Sequence, residues 1–210
     1  MSDRRRITGA AGLAVAILFA VGNALWAFDQ PHAGAAPSEI VDFYSDASGR
    51  IVAGASMSFL AIALFVFFAS GVRAILRERE ADDLLATAAF GGALLAMAAG
   101  LGAETINMVG ALRADDGRLT HDLGQALFEI SYILGYNGAG VGLGVMVLAI
   151  AAVALRTRSM MPRWLACILA AGGVAFITPL SRFLLGPSVL VLAVVSAQLL
   201  RSSSESEPAR

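Results

Sequence analysis

IVAGASMSFLAIALFVFFASGVRAIL, residues 51–76, decides the fold. One charge, Arg73, interrupts this run, and roughly 20 mostly apolar residues suffice for a helix to cross a bilayer. Lipid offers no partner to backbone N–H and C=O groups, so a segment of this kind spans as an α-helix that bonds internally. Working outward, similar runs occur at Ile7–Phe28, Leu84–Leu112 and Gln125–Leu155. The stretch Trp164–Leu200 is too long for one span. A turn near Thr178-Pro179-Leu180-Ser181-Arg182 divides it into 164–178 and 183–200, and Gly186-Pro187 offers a second break. The expectation is an all-α polytopic transmembrane bundle of about six spans, one domain over residues 1–201. The Ser- and Glu-rich end, 202–210, reads as a disordered tail.

Composition agrees. Only 15% of the 210 residues are charged, against about 25% in a typical soluble domain. The net charge of −1 gives no case for a nucleic-acid partner. All 15 basic residues are arginine. With the heavy Ala and Gly usage, this suggests a high-G+C bacterial genome and hence an inner membrane. The lone Cys167 sits in an apolar run and forms no intramolecular disulfide. No cofactor or metal centre is expected.

Orientation follows from the arginines. With the N-terminus inside, the cytoplasmic side receives Arg4, Arg5, Arg6, Arg73, Arg77, Arg79, Arg156, Arg158, Arg163, Arg201 and Arg210. The outside receives Arg50, Arg113, Arg118 and Arg182. An even number of spans returns the C-terminus to the cytoplasm. Arg4-Arg5-Arg6 and the following apolar run also fit a signal peptide. That run is about 22 residues, longer than the 7–15 of a signal h-region, which favours a retained helix. In the long outer loop, Ser38 is placed to N-cap a short helix, with Glu39 and Asp42 in its first turn and Ile40, Val41 and Tyr44 on one face. Such a helix would lie on the membrane surface or form a loop packed on the bundle.

Two acids fall inside expected spans, Glu104 and Glu129. Ionisable groups are expensive in hydrocarbon and usually face the protein interior. Gly92, Ala96, Gly100 and Glu104 are spaced four apart, a small-residue stripe that lets another helix come close, and Asn107 extends it. Glu129, Tyr132, Tyr136, Gly140 and Gly144 trace one face of the next span. The two acids lie almost symmetrically about Asp116-Gly117, which puts them at similar height, on the order of 10 Å below the outer loop. At that distance from water they would repel if both were ionised.

Three readings compete. The acids, with Asn107, Tyr132 and Tyr136, lock helix packing; or they bind a proton or cation with Arg182 as counter-ion; or they form an acid/base pair of a membrane enzyme. His32 and His121, with Asp29, Asp122 or Glu129, would suit a zinc ion, although solvated loop histidines are the simpler reading. The glycines from Gly138 to Gly144 lie in an apolar span without a preceding strand, so helix packing explains them better than phosphate binding.

Glu39-Ile40-Val41-Asp42-Phe43-Tyr44, then Gly49-Arg50, then the basic turn Arg73–Arg79 resemble a group of uncharacterised bacterial six-helix membrane proteins defined by a domain of unknown function. The resemblance implies the hairpin layout and carries no activity or site residue. The sequence therefore points first to a non-enzymatic accessory or structural membrane protein. A small proton- or cation-coupled permease using Glu104 and Glu129 is the alternative, with a membrane-embedded enzyme third. Its partners are the lipid bilayer and a second copy or another membrane protein meeting its small-residue faces.

Overall fold

A computed structural model describes residues 2–79, 83–157, 161–178, 180 and 185–204. Among these residues every regular element is helical. The chain runs α1 (Ser2–Ala24), a 3-10 turn (Ala27–Asp29), α2 (Pro37–Asp46), α3 (Ser48–Arg77), α4 (Leu84–Asp115), α5 (His121–Tyr132), a π-helical segment (Ile133–Gly138), α6 (Ala139–Thr157), α7 (Arg163–Ile177) and α8 (Leu185–Ser204). Four helices are long and apolar enough to cross a membrane: Asp3–Ala24, Ser48–Arg77, Leu84–Asp115 and the continuous His121–Thr157. Arg163–Ile177 and Val189–Leu200 are shorter apolar helices. Most of the expected turn between the last two helices, including Arg182, lies outside the described residues, as do 205–210 of the tail.

Neighbouring helices in space are α8, α1, α3, α4, α6 and α7, in that order. A main apolar core runs through the middle of this array, with Val15, Phe65, Phe68, Ala93, Met146, Ile150, Leu169 and Val195. α4 and α6 come close together, where an added Cβ on Gly92 would lie 2.6 Å from the backbone oxygen of Gly142. Gly144 and Gly173 bring α6 and α7 together in the same manner. The small-residue stripes thus meet one another within the chain.

Helices of 30 and 32 residues measure about 45 and 48 Å, well over the roughly 30 Å of hydrocarbon. The excess at one end builds a cap. There α2 packs on α5, α4 and the start of α3, around a second apolar cluster containing Trp26, Ile40, Phe43, Tyr44, Ile51, Ala111 and Phe128. The short outer helix differs from expectation in two respects. Its N-cap is Ala36 rather than Ser38, with Pro37 in the first turn; proline's fixed φ suits that position and its missing N–H is one of the helix's orphan donors anyway. Its buried face is Ile40, Phe43 and Tyr44, so it seats on protein, with Val41 only half-buried. The turn from α4 into α5 passes through Gly117 at φ +65°, a left-handed conformation that glycine adopts without strain.

Candidate functional site

Beneath this cap lies a buried polar cluster. Glu104 is 8% exposed, and Asn107 and Ser131 are buried with it. Ser58 is fully enclosed and neighbours the Glu104 carboxyl. The cap supplies Tyr44, whose hydroxyl donates to Asn107 Oδ1 at 3.1 Å and also neighbours Ser131. Ser131 itself donates to the carbonyl of Phe128 at 2.9 Å. Burial pushes the Tyr44 phenol up to about 12, against a smaller opposing effect from the Ser131 hydroxyl. The cluster thus joins α3, α4 and α5 under a lid contributed by α2.

Three buried atoms here lack a well-formed hydrogen bond, Glu104 Oε2, Ser58 Oγ and Trp26 Nε1, and of these the Ser58 hydroxyl lies beside the Glu104 carboxyl and is the donor nearest to satisfying it. The Trp26 indole packs against Gly54, one turn from Ser58 on α3. A buried polar atom left unmatched costs about 1–3 kcal/mol, and nearly all such atoms in native proteins are satisfied. Such atoms close together mark a place where the interior is short of partners. The groups around Glu104 and Asn107 present oxygens and an amide, chemistry suited to a proton or a hard cation.

The sequence expectation paired Glu104 with Glu129. The structure buries the first and leaves Glu129 exposed, accepting from Gln125 Nε2 at 2.9 Å on its own helix. The reason is the π segment Ile133–Gly138. A regular helix places Glu129, eleven residues before Gly140, on the same face as that glycine. The π turn inserts one residue into the count, so the buried positions before it become Gly124, Phe128 and Ser131. Glu129 is thereby rotated off the interior. Tyr132 and Tyr136 are half-buried and pack against each other with centroids 4.4 Å apart and ring planes tilted by 35°. The Tyr136 hydroxyl donates to Gln30 Oε1 at 3.3 Å, tying the π segment to the residue that follows the 3-10 turn.

The chain matches no family model, no curated protein and no solved structure. The site therefore has to be read from its own geometry. Of the residues singled out in the sequence, Glu104 and Asn107 come together, Tyr132 and Tyr136 border the cap, and Glu129 stands apart. Arg182 lies outside the described residues. His32 and His121 are exposed, and among the described residues no three His, Cys, Asp or Glu side chains converge on a metal position. Ser58, Tyr44 and Ser131 went unrecognised in the sequence. Ser58 carries a faint signal, being a hydroxyl four residues after Gly54 in an otherwise apolar run.

Proposed function

We propose that this is a six-span bacterial inner-membrane protein with both termini in the cytoplasm, and that Glu104 is a proton- or cation-binding group beneath the extramembrane cap. The observation that carries the reading is the burial of the Glu104 carboxyl with no cation paired to it among the described residues: a carboxyl in an apolar bundle is costly unless something binds it or it binds something. Orientation is supported by Arg4, Arg73 and Arg77, which gather at the end opposite the cap, as a cytoplasmic face requires. With Glu129 exposed, the site rests on one acid. An acid/base pair for enzymatic catalysis loses its second member.

The test compares Glu104→Gln and Glu104→Leu with the parent protein in proteoliposomes carrying a pH-sensitive dye under an imposed potential, with and without sodium. Both variants insert and fold, and the Leu variant melts at the same or higher temperature because it removes an unmatched polar group. Both abolish proton or cation movement. If the parent and Glu104→Gln give equal ion traces, Glu104 is not the binding group.

The Tyr44–Asn107 bond favours a second reading, in which the cluster fastens the cap onto the bundle and the protein is an accessory subunit or self-associates. That reading expects a partner, or a second copy, to co-purify in mild detergent and expects Glu104→Leu to leave the partnership intact. Reporter fusions at both termini test the topology; an outward C-terminus would remove the six-span arrangement.

A further inference from the structure

The end of the bundle away from the cap holds a pocket of about 410 Å3 that the Glu104 reading does not use. Three helices contribute to it: Arg4 from α1, Ser70, Arg73 and Arg77 from α3 with Glu78 at its C-terminus, and Phe90 from α4. Two acids partly neutralise the arginines. Arg4 pairs with Glu78, while Asp83 receives Arg77 at 3.0 Å and Arg73 at 3.5 Å. Among the described residues, three guanidinium groups here meet two carboxylates, one positive charge in excess. Arg73 is the least satisfied of them. Its Nε is buried without an acceptor, its contact to Thr87 Oγ1 is long at 3.5 Å, and its guanidinium lies over the Phe90 ring at 5.5 Å.

We propose that this pocket binds a phosphate-bearing anion, with the phosphodiester headgroup of an anionic phospholipid as its membrane source and inorganic phosphate as its soluble one. Guanidinium forks match phosphate oxygens in geometry and charge, and the Ser70 hydroxyl in the lining adds a neutral donor. The pocket sits where the α3–α4 hairpin emerges from its apolar stretch, the level of lipid headgroups. Phe90 and Ala74 form an apolar wall that a glycerol backbone would cover and a free phosphate would not. Basic pockets between membrane helices hold anionic headgroups elsewhere by the same forces. The inference does not depend on Glu104, and the two fail separately.

The experiment is native mass spectrometry of the intact protein released from nanodiscs of phosphatidylglycerol mixed with phosphatidylcholine, with a parallel arm in neutral detergent plus inorganic phosphate. The expected result is preferential retention of phosphatidylglycerol, reduced about fivefold by Arg73→Gln, as expected for losing one cation near a headgroup. Arg4→Gln, at an exposed position that folding tolerates, weakens retention in the same direction. Arg118→Gln at the cap end leaves it unchanged. Phosphate adducts without lipid preference would support the anion site and assign it to the soluble source. Equal retention of both lipids together with no phosphate adduct overturns the proposal, as does a loss in Arg118→Gln equal to that in Arg73→Gln.

Discussion

Tyr44→Phe removes one oxygen atom from a fully enclosed position, and its consequence depends on pH in a direction the structure fixes. At neutral pH the substitution leaves Asn107 Oδ1 without its 3.1 Å donor, a loss of about 1–3 kcal/mol. The folded phenol titrates near about 12 instead of the ordinary 10.0. Because the folded value is the higher one, the stability tied to the neutral phenol is fully present below about pH 10 and is lost as pH rises toward about 12. Two units at 1.36 kcal/mol each make that loss about 3 kcal/mol. The phenylalanine variant has nothing to titrate there. Thermal denaturation of both proteins in the same detergent, from about pH 8 to about pH 12, should therefore show their melting temperatures converging and then meeting or crossing. The two proteins differ at this one group alone, and the chain has no lysine to intervene. A gap that stays constant across this range would refute the assignment of Tyr44 as a buried neutral donor.

Other substitutions probe the rest of the scaffold. Gly142→Val places side-chain atoms against the α4 backbone at Gly92 and Ala96 and should cost about 1–3 kcal/mol in denaturant unfolding; Gly91→Val, where nothing lies within 4 Å, should cost far less. Deleting Gly135 removes the extra residue of the π turn and rotates α5 by about 100° relative to α6. In that deletion, a cysteine at position 129 should change from maleimide-reactive to protected in a Cys167-free background. Arg50→Gln breaks an exposed ion pair with Asp29 at 2.6 Å and should shift stability by less than about 1 kcal/mol.

How much was legible in the sequence varies with how local the determinant is. Hydropathy marked the long helices because each must satisfy its solvent residue by residue. The stripe from Gly92 to Glu104 correctly turned Glu104 and Asn107 inward, since α4 keeps one periodicity throughout. The same reasoning misplaced Glu129 because it carried 3.6 residues per turn across Ile133–Gly138, and no residue there announces the added one. Ser58 and Tyr44 reach the site from other elements, so their meeting with Glu104 and Asn107 is a product of tertiary packing. Tyr44 had been placed on the correct helix, and Phe43 rather than Val41 proved to be its companion.

The order of the helices in space has a consequence for biosynthesis. On α1, Gly9 abuts Leu200 and Gly12 abuts Ser196 of α8, so α1 packs against a helix synthesised after every other described one. That flank of α1 must remain in lipid, or against a chaperone or the insertion machinery, until α8 has been synthesised. Truncation before residue 185 would strand it there, exposing two glycine notches with nothing to fill them. Quality-control proteases that recognise unpaired membrane helices would then read the integrity of α8 at α1.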